Sequence, residues 1–186
     1  PSLETSLSEL GTDHVGLLLL HEVSAVHLQD EALLRLLEQF VESGKALAIG
    51  LATGPSQSLE ILSGPVDFSA VQVRNHVGDP LPAALVEQAS FLITHSAMGL
   101  DEPGRSRLSA LLDQSPELLG RLQQAGFLRT GTGADLWELL LGWGLASNPA
   151  GITLCGMLGS GHVESNLATL ERTESAPDAL MELGRR

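Results

Sequence analysis

Short apolar runs alternate with amphipathic segments along most of this 186-residue chain, and that alternation limits the fold more than any other feature. A short, continuous apolar run suits a strand buried on both faces, as in a parallel sheet. Val15–Leu20 is the first such run, Leu47–Leu51 the second, Ala70–Val73 the third and Phe91–Thr94 the fourth. Helical patterns fall between them. Gln29–Ser43 carries Leu33, Leu34, Leu37, Phe40 and Val41 at helical spacing, with Asp30 placed to cap the first amides and Gly44 to end the helix. Pro55–Leu62 has proline in its first turn, and Leu81–Ala89 supplies the next helix. Strands that alternate with helices in this way predict an α/β fold built on a parallel sheet.

After the fourth strand the rhythm breaks, and the fifth is expected only at Ile152–Cys155. The interval reads as a polar loop around Asp101–Arg107, a helix near Pro116–Ala125, a turn at Gly131–Gly133 and a helix near Asp135–Ala146. A glycine-rich loop, Gly156–Gly161, follows the fifth strand, a helix runs from about His162 to Leu170, and the tail from Ser175 reads as one short surface helix. The strand spacing suits either a (β/α)8 barrel or an open doubly wound sheet. Five strands are too few to close such a barrel, and a barrel typically takes about 250 residues. If the chain is barrel-like, the missing units belong at its front. One domain spanning residues 1–186 is expected.

Charge and composition remove several classes of function. Ten basic residues against twenty-three acidic ones give a net charge of −13, which offers no basic patch to displace counterions from nucleic acid. The same acidity opposes anionic membrane surfaces. No apolar run approaches the roughly 20 residues needed to span a bilayer, and no basic segment followed by an apolar one opens the chain. Cys155 is the only cysteine, so no internal disulfide forms, which fits a reducing cytoplasm. The first residue is Pro1, consistent either with removal of an initiator methionine or with a chain cut from something longer. Tyrosine is absent and Lys45 is the only lysine. Mechanisms that use a tyrosine acid, a lysine Schiff base or a phosphate-binding loop lysine are therefore excluded or nearly so.

Five blocks of sequence bear on a family. Leu10–Val23 (LGTDHVGLLLLHEV) places a histidine at a strand end, and Glu42–Thr53 (ESGKALAIGLAT), Val71–Asn75 (VQVRN), Leu92–Gly99 (LITHSAMG) and Ser147–Leu170 (SNPAGITLCGMLGSGHVESNLATL) follow in order. In this order and spacing they resemble the aldo/keto reductase superfamily over nearly the whole chain. The resemblance implies a partial (β/α)8 TIM-type barrel, strands four to eight, lacking the first three. It also implies NAD(P)H-dependent reduction of an aldehyde or ketone in the complete architecture, with a small carbonyl compound as substrate. In that family a tyrosine donates the proton, aided by an aspartate, a lysine and a histidine. Only the histidine maps here, as His21. A histidine at the C-terminal end of a barrel strand faces the side where barrel sites form and has a nitrogen able to orient a carbonyl. The plainer reading is a polar residue closing a strand.

The resemblance also implies a cofactor site for NADP or NAD. The serine and asparagine that hold the nicotinamide carboxamide correspond to Ala52 and Thr53, and Gln72 matches the glutamine that meets the same group. His95 stands where an aromatic stacks under the nicotinamide, with less area than a tyrosine. Ser96 matches the phosphate-side serine. The run from Gly156 and Met157 through Ser160 joins a strand to a helix N-terminus, where backbone amides and the helix dipole suit a phosphate; a flexible glycine turn fits the same residues. Leu158 and His162 replace the basic residues that favour NADP. Ser165 replaces a glutamate, and Asn166 matches the asparagine at the adenine.

Other candidates carry less. His21, Glu22 and His27 do not have the helical His-Glu-x-x-His spacing of a zinc protease, and no metal is expected. Trp137 and Trp143 lie on a segment apolar nearly all round, a pattern of core or subunit interface rather than of a ligand platform. Cys155 reads as an inert small hydrophobe. Two readings of function remain: a cytoplasmic oxidoreductase domain inactive without the missing strands, and a non-catalytic interaction module. The latter would self-associate or pair with a complementing chain through open barrel edges.

Overall fold

A computed structural model describes residues 2–129, 133–157 and 159–185. It is an α/β structure of five parallel strands with flanking helices, and the strand order follows the chain, β1-β2-β3-β4-β5. The strands are β1 (Leu18–His21), β2 (Ile49–Ala52), β3 (Ala70–Arg74), β4 (Leu92–His95) and β5 (Ile152–Thr153). By contacts the chain divides into two compact units, residues 1–73 with 82–92, and residues 74–81 with 93–186.

The first unit opens with helix α1 (Leu3–Leu10), capped by the Ser2 hydroxyl, which accepts from the Thr5 amide. Parallel pairing aligns Leu20 with Leu51 and Leu51 with Val71. Leu51 and Val71 are wholly buried, whereas β1, at the end of the strand order, is only half-buried rather than covered on both faces as expected. It also starts later than Val15. The chain bends at Gly16, leaving Val15 in a single bridge to Ala46, and the ladder resumes at Leu18. Helix α2 (Glu31–Glu42) is capped as its sequence predicts, the Asp30 carboxylate accepting from the Ala32 amide at 2.8 Å. Gly44, just beyond it, adopts φ +73°, a conformation that costs glycine no steric penalty. Helices α3 (Pro55–Leu62) and α4 (Ala83–Gln88) complete the unit.

The second unit differs more from its sequence reading. The segment read as a polar loop around Asp101–Arg107 lies mostly in helix α5 (Glu102–Asp113). Asp101 caps it, its carboxylate accepting from the Gly104 amide at 2.8 Å, and Pro103 fits the first turn, where no amide is needed. Helix α6 (Pro116–Gln124) follows, then α7 (Gly133–Ala146). The rest of the expected turn at Gly131–Gly133 lies outside the described residues. Helix α8 (Ser160–Ser175) begins earlier and ends later than its apolar pattern implied, so Gly161 and His162 sit in its first turn. The final helix α9 (Pro177–Leu183) is not a surface element. Its Leu180 is fully buried beside Leu183, in a cluster with Phe127, Leu139, Leu140 and Trp143.

Close packing makes two glycines respond oppositely to substitution. A Cβ on Gly50 would lie 2.6 Å from the Ala70 carbonyl oxygen and 2.8 Å from Leu19 Cδ2, whereas one on Gly120, inside α6, meets nothing within 4 Å. Gly50→Ala is expected to destabilise by about 1–3 kcal/mol. Gly120→Ala should stabilise by about 0.5–1 kcal/mol through lower unfolded-chain entropy. Chemical denaturation of the two variants checks both signs.

Candidate functional site

His21, Ala52 and Gln72 form one row of backbone partners at the C-terminal ends of β1, β2 and β3. Side chains in one row of a parallel sheet project to the same face, and successive residues to opposite faces. His21 is exposed, and Ala52 and Gln72 are half-buried, so this row belongs to the less covered face. Thr53 belongs to the other. It is buried, and its Oγ1 lies 2.7 Å from Ser58 Oγ on α3, so its hydroxyl is engaged by a helix on the face opposite Gln72. Glu22 adopts φ +53° directly after His21. His27 accepts from the Ser24 amide at 3.1 Å and, with His21 and Glu22, borders an open cleft of about 430 Å³. Among the described residues no group of three or more His, Cys, Asp or Glu side chains is arranged to hold a metal ion.

In the second unit the Asn75 amide donates to the His95 carbonyl at 3.0 Å, fixing the end of β4. The Asn75 side chain is buried: its Nδ2 donates to Ser147 Oγ, and its Oδ1 accepts from the Leu81 amide. His95 Nδ1 lies 2.8 Å from Ser96 Oγ, and Ser96 itself adopts φ +61°. Burial pushes the imidazole of His95 below its ordinary range, and the Arg74 guanidinium adds to the shift.

Beyond β5 a cleft of about 430 Å³ is lined by Met98, Trp137, Glu138, Gly156, His162, Ser165 and Asn166. Three of the residues assigned to a cofactor by resemblance, Gly156, His162 and Asn166, thus meet in one place. Met157, on the connection between β5 and α8, and Ser160, the first residue of α8, are exposed, while Leu158 lies outside the described residues. Asn166 Nδ2 donates to Cys155 Sγ at 3.3 Å. Burial pushes the Cys155 thiol up, with the Asn166 contact opposing it, so the thiol stays protonated near neutral pH. Cys155 is half-buried rather than sealed within a strand.

The sequence reading missed Trp137 and Glu138 as cleft residues. Trp143 is in the core, as a helix apolar nearly all round implies, but Trp137 is 42% exposed and the Arg105 guanidinium lies 5.4 Å from its ring centre. Glu138 Oε1 accepts from Ser165 Oγ at 3.1 Å, and Oε2 accepts from Arg172 Nη2 at 2.7 Å. The one available signal was an acid beside a tryptophan on a helix whose only other charged residue is Asp135.

The His95 shift has a definite sign. Its folded-state affinity for a proton lies below that of the unfolded chain, so its contribution to stability is complete above the ordinary value of 6.5 and is lost as the pH falls through it. Unfolding free energy should therefore decline on acidification below that value, and His95→Asn should remove this part of the slope. A denaturation series from about pH 8 to about pH 5 reads it.

The sequence profile of the Aldo/keto reductase family matches residues 1–87. The quoted resemblance ran further, since the blocks at Leu92–Gly99 and Ser147–Leu170 lie beyond that match. No curated protein matches the chain. Among solved structures it is similar to a thermostable aldo-keto reductase in complex with the inhibitor epalrestat, with 22% identity, a TM-score of 0.67, and coverage of 96% of this chain and 64% of that one. The holo form of an aldo-keto reductase from Bacillus halodurans gives 18% identity, a TM-score of 0.68 and coverage of 97% and 65%. An aldo-keto reductase complexed with NADPH gives 21%, 0.62, and coverage of 94% and 57%. The chain spans less than two thirds of the length of these three proteins, and at such identities the likeness is one of fold. The first 87 residues match the aldo/keto reductase family profile, and nearly the whole chain is similar in fold to solved aldo-keto reductases.

Proposed function

We propose that this chain is the cofactor-binding portion of a cytoplasmic aldo/keto reductase, corresponding to strands four to eight of the family barrel. The observation that carries this reading is the cleft beyond β5, where Gly156, His162 and Asn166 converge at the N-terminal part of α8. The residues present suit the adenosine half of a nicotinamide dinucleotide: an indole and a thioether offer apolar area, and Ser165, Asn166 and Glu138 offer hydrogen-bonding groups. When bound, that cofactor supplies the hydride for reduction of an aldehyde or ketone. Gln72, half-buried in its row beside Ala52 and His21, would meet the nicotinamide amide. His21 would orient the substrate carbonyl through a ring N–H. In the resemblance His95 corresponds to the residue that stacks on the nicotinamide, and burial, which lowers its proton affinity, favours the neutral ring. Ser96, Met157 and Ser160 would contribute on the phosphate side.

The 186 residues contain no tyrosine to protonate the carbonyl, and Lys45 is engaged elsewhere, its Nζ 2.9 Å from Glu4 Oε1. The chain by itself is therefore expected to bind cofactor without turnover. Incubation with NADPH or NADH and a panel of aldehydes, followed at the nicotinamide absorbance, should show no consumption above background. Steady turnover would overturn this expectation.

A second reading, an interaction module that self-associates or pairs with a complementing chain, is favoured by a specific feature of the second unit. Ile152, Leu154, Met157, Val163, Leu167 and Leu170 are all large apolar residues left exposed on β5, α8 and the connection between them. The two readings separate by calorimetry and sizing together. Dinucleotide binding supports the first, whereas a defined oligomer that binds no nucleotide supports the second.

A further inference from the structure

We propose that the cleft between α7 and α8 selects a dinucleotide whose adenosine ribose keeps a free 2′-hydroxyl, NAD(H) rather than NADP(H). In this arrangement Trp137 is the platform for the base, and Glu138 is the group that discriminates at the ribose. The inference rests on the cofactor reading above and specifies which cofactor.

Three features of the second unit lead to it. First, Trp137 borders both this cleft and a shallower one that contains Arg105, whose guanidinium lies 5.4 Å from the ring centre. A cation over the ring holds the indole in orientation. Its exposed area offers a planar apolar surface of the kind on which bases stack. Second, among the described residues the lining includes no lysine or arginine, and its one carboxylate is Glu138. Arg172 does not line the cleft; its Nη2 is engaged by Glu138 Oε2 at 2.7 Å and by Thr169 Oγ1 at 2.9 Å. Arg129 stands farther off, 4.0 Å from the same carboxylate oxygen. Third, Glu138 Oε1 accepts one hydrogen bond from Ser165 and, as a carboxylate oxygen, has capacity for another.

These features favour a hydroxyl over a phosphate. A ribose 2′-hydroxyl can donate to a carboxylate, a charge-assisted bond that is stronger than a neutral one. A 2′-phosphate would bring additional negative charge beside Glu138, with no lysine or arginine among the described residues that line the cleft. Nucleotide folds of a different type separate NAD from NADP by the same contrast, an acidic residue on the ribose against an arginine on the phosphate.

The test is calorimetric titration of the full 186-residue chain with NAD+, NADP+ and ADP-ribose, with tryptophan fluorescence as a second readout. NAD+ and ADP-ribose are expected to bind at least about tenfold more tightly than NADP+. Glu138→Gln should narrow that ratio to below about threefold, chiefly by tightening NADP+. Trp137→Ala should weaken all three ligands by about tenfold, and Trp137→Phe should recover much of the loss. NADP+ binding as tightly as NAD+ to the unaltered chain overturns this inference while leaving the cofactor reading intact. So does an unchanged ratio in a Glu138→Gln variant whose thermal melt matches the parent. Failure of every nucleotide to bind overturns both. Should Glu138→Gln not fold, the ratio in the unaltered chain and the two Trp137 variants decide.

Discussion

The in-register parallel ladder of β1, β2 and β3 is the constraint on which the first unit depends. Because successive side chains on a strand point to opposite faces, one register decides which residues are buried and which are presented. With Leu51 beside Val71 on one face, Ala52, Gln72 and His21 must lie on the other. A slip of one residue would bury Gln72 and expose Val71. Gly50 permits the close approach of β2 to β3 that this register entails, since a side chain there would collide with the Ala70 carbonyl. The histidine at the strand end and the glutamine two strands away are thus aligned by the same hydrogen bonds that hold the sheet.

The second unit is organised around α7. Leu139, Leu140, Leu141 and Trp143 are buried, and a Cβ on Gly142 would sit 2.8 Å from the Phe127 ring, so this helix is surrounded on most sides. Its apolar character follows from that enclosure. Trp137 emerges near its first turns, next to Glu138, and so an element otherwise devoted to the core contributes one wall of a cleft. Several buried polar groups nearby are paired, although Trp143 Nε1 and Arg172 Nε have no hydrogen-bond partner among the described residues. Asn148 Nδ2 donates to the Ile152 carbonyl and to Thr94 Oγ1, and Thr94 meets Thr153, which ties β4 to β5 through side chains as well as backbone. Such pairing avoids the cost of burying polar atoms without partners. At the chain end Arg121 pairs with Glu182, linking α6 to α9.

On the proposed reading, function in this chain separates into binding and catalysis. The residues that could hold the adenosine end of a dinucleotide converge beyond β5, with hydrogen-bonding groups, an indole and a strand-to-helix connection that exposes backbone. The groups that would move a proton are sparse. His21 is exposed at the end of β1, and tyrosine does not occur in the 186 residues. Thr53, aligned by resemblance with a cofactor contact, has its hydroxyl engaged by Ser58 on the face opposite Gln72.

The amino-acid sequence by itself determined the α/β class, the positions of most strands and helices, the Asp30 cap and the histidine at the end of the first strand. These are local properties, set by apolar periodicity and by side chains that bond to nearby backbone. It misread Asp101–Arg107 because polar residues with proline and glycine resemble a loop, whereas Asp101 and Pro103 together begin a helix. It took α9 for a surface element because seven residues carry too little periodicity to reveal which side is covered. Only the tertiary structure decided that Trp137 reaches a cleft while Trp143 fills the core, and that Thr53 bonds to Ser58. Both outcomes depend on which neighbours long-range packing brings to each side chain. The pattern of a segment records that it is apolar or polar, and the fold supplies the partner.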